Sequence, residues 1–156
     1  MLSKNTKETE KIAKIFLEKI LKSKRGRVGA LVVGLSGDLG AGKTAFTQSI
    51  AKHLGIKNKI TSPTFVILKS YPIPEQARYG AGKLKAENYQ QFFHIDAYRL
   101  KNEKELLHLG WEEIISKKDH LVFVEWPENV SKIIPKDAKF IYFSHGKNNS
   151  RNLKLK

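Results

Sequence analysis

The sequence predicts a mixed α/β fold with a mostly parallel central sheet flanked by helices on both faces. Short, continuous apolar runs rich in branched residues, such as 30-ALVVGL-35 and 120-HLVFVEW-126, are typical of strands buried on both faces. Segments with helical periodicity separate these runs, and strands that alternate with helices form parallel sheets. A glycine-rich loop, 37-GDLGAGKTAF-46, joins the first apolar run to the helix that follows it.

The elements follow one another in a regular order. The first is an amphipathic helix that starts at Asn5, carries Glu8 three residues later as a reciprocal cap, and ends near Lys24. The glycine loop opens a helix over 44–54, which Gly55 closes. The remaining predicted strands cover 61–71, 91–96, 120–126 and 139–144, and the remaining predicted helices cover 102–109, 111–116 and 128–134.

Length and composition indicate one domain over residues 1–156. A chain of this length buries roughly two thirds of its unfolded surface. Segment 72–90 has two prolines, two glycines and little periodicity, which indicates a long loop or hairpin excursion. The absence of cysteine excludes disulfides, thiolate nucleophiles and Cys-based metal sites. No apolar run approaches a membrane span, so we expect a cytoplasmic protein.

The chain is strongly basic, with 29 Lys and Arg residues against 15 Asp and Glu residues and a net charge of +14. Such a charge favours contact with nucleic acid or with acidic protein surfaces. The excess is mostly scattered lysine, without the interleaved aromatic residues that stack on single strands. Solvated surface lysines explain the charge equally well, so charge alone does not indicate RNA binding.

The glycine loop carries the strongest chemical signal. Gly37-x-x-x-x-Gly42-Lys43-Thr44 follows an apolar strand and opens a helix, where backbone amides and the positive helix end bind phosphate. Glycines at 37, 40 and 42 let the backbone approach a β-phosphate. Lys43 is placed to reach the β and γ oxygens, and the Thr44 hydroxyl to bind Mg²⁺. The pattern therefore predicts a P-loop NTPase fold that binds a nucleoside triphosphate with Mg²⁺.

Two acidic residues stand at the ends of predicted strands, where the acid that holds Mg²⁺ or its water shell is expected. Glu125 and Asp96 each follow an apolar run, although either carboxylate could instead cap the next turn. Glu125 is the stronger candidate for the metal side, because the run before it is more apolar. Ser62 and Thr64 are candidate γ-phosphate sensors, although Ser-Pro also fixes turns.

Other features narrow the class of NTPase. A GTPase needs a guanine-reading Asn-Lys-x-Asp segment, whereas 58-NKIT-61 has threonine in place of the aspartate. A small-molecule kinase usually carries an arginine-rich lid, but Arg78 is the one arginine of 72–90. Trp126 packs either near the nucleotide or in the core. His94 and His108 are interpreted as structural histidines without a catalytic role.

Five blocks give the chain a specific resemblance. In order along the chain they are 37-GDLGAGKTAF-46, 61-TSPTF-65, 94-HIDAYRL-100, 109-LGWEEI-114 and 124-VEWPE-128. In sequence and spacing they resemble the TsaE family, the small bacterial ATPases of tRNA threonylcarbamoyladenosine biosynthesis. The resemblance covers nearly the whole chain, from the first helix to the last predicted strand.

The resemblance implies a function and a set of site residues. TsaE proteins have a P-loop α/β fold, hydrolyse ATP slowly with Mg²⁺, and act with the TsaD–TsaB pair that modifies tRNA, supporting its turnover. Lys43, Asp96 and Glu125 are then catalytic, with Asp96 at the nucleotide or the attacking water, and Thr44 and Glu125 hold Mg²⁺. The implied nucleotide-binding residues are Thr6, Leu39, Gly40, Ala41, Gly42, Lys43, Thr44, Asp96, Glu125, Trp126, Pro127 and Glu128.

The chain departs from the family pattern at three places. Ala45 replaces a common second threonine, Ala97 replaces a leucine, and segment 72–90 is longer than usual. The longer segment leaves any partner surface near it open. Three interpretations remain: an ATPase cycle that resets a tRNA-modifying assembly, a nucleotide-dependent binding module with incidental hydrolysis, and, more weakly, a small-molecule kinase. In the first two, tRNA is a partner through the assembly or by direct contact.

Overall fold

A computed structural model of the chain describes residues 1–22, 28–58, 60–79, 85–148 and 150–156. Strands and helices alternate along most of this part of the chain. The strands are β1 Leu2–Ser3, β2 Leu31–Gly37, β3 Leu68–Pro72, β4 Gln91–Asp96, β5 His120–Glu125, β6 Lys139–His145 and β7 Arg151–Leu155. The α-helices are α1 Thr6–Leu21, α2 Lys43–His53, α3 Glu75–Tyr79, α4 Glu103–His108 and α5 Trp111–Ser116, and a 3₁₀ helix covers Pro127–Ile133.

The described strands form one sheet in the order β1-β7-β6-β2-β5-β4-β3. The four central strands, β6, β2, β5 and β4, run parallel to one another. Antiparallel strands complete both edges, with β3 beside β4 on one side and β7 and β1 beyond β6 on the other. The prediction of a mixed α/β fold with a mostly parallel central sheet is therefore confirmed.

Alternate residues of β2 enter two separate apolar clusters. Leu31, Val33 and Leu35 pack with α1 and α2, while Val32 packs on the opposite face with residues of α4 and α5. Adjacent residues of a strand point to opposite faces of the sheet. A strand that is buried on both faces therefore needs apolar residues at consecutive positions. The sheet consequently carries helices on each side, and its glycine loop emerges between them.

Local signals set the helix ends. The Asn5 side chain accepts a hydrogen bond from the Glu8 amide at 3.0 Å, and the Glu8 carboxylate accepts one from the Lys4 amide at 2.7 Å. The reciprocal cap predicted for α1 is therefore present, except that the Glu8 carboxylate bonds to the amide of Lys4, one residue before Asn5. Gly55, with φ of 72°, follows the last residue of α2 as predicted. Helix α1 ends at Leu21, whereas Lys24, its predicted end, lies outside the described residues.

The strand predicted over 61–71 is shorter than expected. It begins only at Leu68, because 63–67 form a turn in which the Val66 and Ile67 amides donate to the Pro63 carbonyl. Ile67 has φ of 65°, a left-handed conformation that no extended strand contains. β-Branched and aromatic content suggested a strand here, and the proline turn overrides it.

Three elements were not predicted. Strands β3 and β4 pair antiparallel, with Pro72 opposite Gln91. Segment 72–90 therefore connects the paired ends of these two strands, and it contains α3. Residues 80–84 of this segment lie outside the described part of the chain. β1 and β7 are short and largely charged or polar, which hides them from a search for apolar runs.

Within the described residues, no helix is both long and apolar enough to cross a membrane.

Candidate functional site

The glycine loop connects the end of β2 to the start of α2 at the carboxyl edge of the sheet. Gly37 has φ of 124°, and a Cβ there would lie 1.9 Å from the Phe143 carbonyl oxygen, so only glycine fits. Gly42, with φ of 100°, precedes α2 and offers no side-chain cap, and the first turn of α2 carries no acidic residue. The first amides of α2 are therefore free to bind an anion.

A cavity of about 370 Å³ lies in front of this loop. Ten of the residues predicted from the sequence line it, namely Leu39, Gly40, Gly42, Lys43, Thr44, Ser62, Thr64, Asp96, Glu125 and Trp126. The structure thus brings the loop, both strand-end acids and the 62–64 segment together at one edge of the sheet. Ala45, Tyr98 and Arg151 complete the lining.

Four predicted residues do not line the cavity. Thr6 is the first residue of α1, next to β1. Ala41 belongs to the glycine loop but is fully buried. Pro127 is buried at the start of the 3₁₀ helix, and the exposed Glu128 follows it and lines a separate groove with Pro127.

Glu125 is buried, and its carboxylate has two side-chain partners. The Thr44 hydroxyl donates to both oxygens, at 2.9 Å to Oε1 and 3.1 Å to Oε2. The His94 ring nitrogen Nε2 lies 2.8 Å from Oε1, with the histidine itself fully buried. Three oxygen atoms, from one hydroxyl and one carboxylate, therefore meet at the end of the glycine loop.

This set of oxygens suits a magnesium ion that shares its coordination with a ligand. Mg²⁺ prefers oxygen donors and usually takes one or two carboxylates, with phosphate and water as its other ligands. Among the described residues, no three His, Cys, Asp or Glu side chains are grouped so that they could hold a metal by themselves. The residues present fit Mg²⁺ bound together with a phosphate, with Thr44 and Glu125 as the protein ligands.

Asp96 pairs in register with Glu125 on the neighbouring strand, but it has different partners. Its Oδ2 accepts hydrogen bonds from the Thr64 hydroxyl at 2.5 Å and the Ser62 hydroxyl at 3.2 Å. Its Oδ1 accepts one from the Tyr98 amide at 3.0 Å. The 62–64 segment is consequently attached to the sheet through the Asp96 carboxylate.

Lys43 is held inside the loop. Its ammonium donates to the carbonyls of Gly37 and Asp38, the latter at 2.8 Å, and lies 3.9 Å from the centre of the Trp126 ring. Burial lowers the pKa of Lys43, while the nearby carboxylates of Glu125 and Glu128 oppose that shift. A desolvated ammonium beside carbonyls gains strongly from an anionic ligand, so the cavity favours phosphate.

Three residues at the site carry no role from the sequence. His94 stands two residues before Asp96 on β4, and the sequence could have indicated it, since alternate residues of a strand share a face. Tyr98 packs against Trp126 with ring centres 5.0 Å apart. Arg151 comes from β7, and its Cδ lies 2.9 Å from where a Cβ on Gly42 would stand, a contact that no local motif signals.

Comparison with known proteins assigns the chain to a family. Residues 3–153 match the family model described as threonylcarbamoyl adenosine biosynthesis protein TsaE. The chain belongs to the TsaE family. The family acts in the biosynthesis of threonylcarbamoyladenosine in tRNA, and the resemblance inferred from the five sequence blocks is confirmed.

Curated relatives carry the same description. A Rickettsia felis protein described as tRNA threonylcarbamoyladenosine biosynthesis protein TsaE is 33% identical over 135 residues, or 86% of this chain and 66% of that protein. A Haemophilus influenzae protein of the same description is 31% identical over 81% of this chain and 70% of the relative. A crystal structure described as "Bacillus subtilus YdiB" superposes with a TM-score of 0.69 at 26% identity, over 99% of this chain and 82% of that one.

Proposed function

We propose that this TsaE family member has a P-loop NTPase fold and is a Mg²⁺-dependent ATPase that supports tRNA modification. The observation that carries the proposal is the contact of Thr44 with both oxygens of Glu125 at the end of the glycine loop. A hydroxyl and a carboxylate in this position would hold Mg²⁺, which would supply positive charge to a bound triphosphate. Free helix amides and a desolvated lysine lie directly beside them.

The amides of residues 39–44 bind the phosphates, and Lys43 leaves the carbonyls of Gly37 and Asp38 to contact the β and γ oxygens. Thr44 keeps its proton on Glu125, which leaves the lone pairs of its hydroxyl for the metal. Bound Mg²⁺ supplies the positive charge that offsets the charge on the phosphates during cleavage. Trp126, whose ring centre lies 3.9 Å from the Lys43 ammonium, forms one wall of the cavity.

Asp96 orients the attacking water. Its carboxylate is buried, lines the cavity and stands in register beside Glu125, which supports this role. Ser62 and Thr64 donate to that same carboxylate, so a water at Asp96 competes with their hydroxyls, and a γ-phosphate oxygen competes with Asp96 for them. Their release from Asp96 is how the 62–64 segment senses ATP.

The biological role follows from the family. The relatives are described as tRNA threonylcarbamoyladenosine biosynthesis proteins. We assign this chain the partners that the family resemblance implies, TsaD and TsaB homologues, with ATP hydrolysis resetting their complex after each round. The net charge of +14 favours an anionic neighbour in that assembly, either an acidic partner surface or tRNA.

The test is reconstituted modification of tRNA by the cognate TsaD and TsaB homologues with a donor of the threonylcarbamoyl group. We expect the complex to modify many tRNA molecules with this protein and ATP, and to stall after about one round without it or with Lys43→Ala. Multiple rounds at the same rate with wild type and Lys43→Ala would favour the binding-module interpretation. Phosphate transfer from ATP to a small molecule instead of water would favour the kinase.

A further inference from the structure

His94 is a buried polar residue that the proposed chemistry does not yet use. It lies in β4, and its side chain has no exposed surface. Nε2 lies 2.8 Å from Glu125 Oε1, while Nδ1 has no hydrogen-bond partner among the described residues. The imidazole therefore directs its one polar contact at a proposed magnesium ligand.

The direction of that hydrogen bond follows from the acceptor. An ionised carboxylate can only accept, and Glu125 already accepts from the Thr44 hydroxyl at both oxygens. Nε2 must then carry the proton and donate to Oε1, which leaves Nδ1 as the nitrogen without a hydrogen. Since buried donors without an acceptor are the costlier arrangement, the unpartnered Nδ1 agrees with this tautomer.

We propose that His94 is a positioning residue that fixes the carboxylate of Glu125 for Mg²⁺, an inference that rests on the proposed function. Glu125 ends β5, and within the described residues its side chain has one other hydrogen-bond partner, Thr44, which must itself turn a lone pair to the metal. A donor on β4 holds Oε1 in place from the adjacent strand while Thr44 adjusts. Hydrogen-bonded partners of metal ligands typically change metal affinity or activity about 10–100-fold when lost.

A purely structural histidine makes a different prediction. Replacing it would lower thermal stability but leave the magnesium requirement of the folded protein unchanged. His94→Leu removes the donor and keeps an apolar filling, whereas His94→Gln keeps an N–H near the position of Nε2. Exposed His108 on α4 lies away from the cavity lining and provides the matched control, His108→Gln.

The experiment measures ADP binding by calorimetry with and without Mg²⁺, alongside thermal unfolding of each variant. We expect His94→Leu to raise the Mg²⁺ concentration for half-maximal enhancement of ADP binding by about 10–100-fold. Its metal-free ADP affinity should stay within about twofold, and His94→Gln should recover most of the loss. An unchanged magnesium requirement in folded His94→Leu, or an equal loss with and without metal, would overturn the inference.

A second measurement needs no nucleotide. Nitrogen-15 spectra of the imidazoles should show His94 protonated at Nε2, with His94→Gln identifying its signals. His120, whose Nδ1 lies 2.8 Å from the Ile114 carbonyl, should show the opposite tautomer and calibrates the assignment. A neutral His94 ring that carries its proton on Nδ1 would contradict the inference even if the chain hydrolyses ATP. If wild type binds no ADP, the proposed function fails and the magnesium role of His94 fails with it, even where the Nε2 tautomer is present.

Discussion

Glu125 and Asp96 occupy equivalent places, the last positions of two neighbouring parallel strands, and they pair with each other in register. Glu125 bonds to Thr44 in the glycine loop and His94 in the sheet, which are both parts of the packed framework. Asp96 bonds to Ser62, Thr64 and the Tyr98 amide, which belong to connecting segments. Acidic residues at the same edge of the sheet thus bond to the packed framework on one strand and to connecting segments on the next.

This difference divides the two acids between separate steps. Glu125, fixed from both sides, suits a cation that must stay in one place. Asp96 accepts hydrogen bonds from hydroxyls of a turn, and a water molecule, which is also a donor, can take their place.

Glu125→Gln should nearly abolish turnover. Loss of a charged magnesium ligand removes several kcal/mol of charge stabilisation, so steady-state phosphate release should fall on the order of 100-fold or more. ADP binding without Mg²⁺ should persist, because the neutral amide no longer repels phosphate. Glu112→Gln, an exposed exchange of the same kind on α5, should match wild type. Full turnover in Glu125→Gln would remove Glu125 from the metal site.

Asp96→Asn should slow hydrolysis without changing the magnesium requirement. Losing the group that orients water should cost about 100-fold in phosphate release, within the range for general base residues. Mg·ADP affinity, measured by calorimetry, should stay within about twofold of wild type. If Asp96→Asn and Glu125→Gln raise the magnesium requirement equally, the two acids share one role and the comparison fails.

Arg151→Gln should weaken nucleotide binding while leaving the division between the acids intact. The guanidinium lines the cavity beside Gly42 and has no ion-pair partner within the described residues, so an anion there gains a charged contact. We expect about a tenfold higher Kd for both ATP and ADP, near the value of one charge-assisted hydrogen bond. Exposed Lys154→Gln on the same strand is the matched control. Equal affinities in wild type and Arg151→Gln would exclude the contact.

Thr64→Val should have a smaller effect than the three changes above. It removes the shorter of the two hydroxyl contacts to Asp96 and should change turnover about threefold, since such a bond contributes roughly 0.5–1.5 kcal/mol. Ser62→Ala removes the longer contact, at 3.2 Å, and should change turnover less. Steady-state phosphate release of both variants gives the comparison, and a larger effect of Ser62→Ala would reverse the assignment of the main sensor.

Much of this arrangement could be predicted from the sequence, because its signals are local. The apolar runs of β2, β4 and β5, the glycine loop and the acids at the strand ends all follow from contiguous residues. The strand predicted over 61–71 is present only from Leu68, because a proline turn overrides β-propensity before it. The pairing of charged β7 with β1 depends on contacts between distant parts of the chain.

The side-chain partners within the site were less accessible to prediction. His94 and Glu125 are 31 residues apart, and only the register of β4 on β5 brings them together. Arg151 reaches Gly42 from a strand that the sequence did not indicate. Both contacts depend on tertiary structure, so a search for motifs could nominate the acids but could not determine their partners.

We propose that the residues around the cavity at the glycine loop hydrolyse ATP with Mg²⁺. The most direct test is phosphate release from ATP, measured with and without Mg²⁺, for purified wild type and Lys43→Ala. We predict slow, magnesium-dependent release by wild type and loss of that activity in Lys43→Ala, because its ammonium is the buried cation of the loop. Equal release by the two proteins, or release that does not depend on Mg²⁺, would contradict the claim.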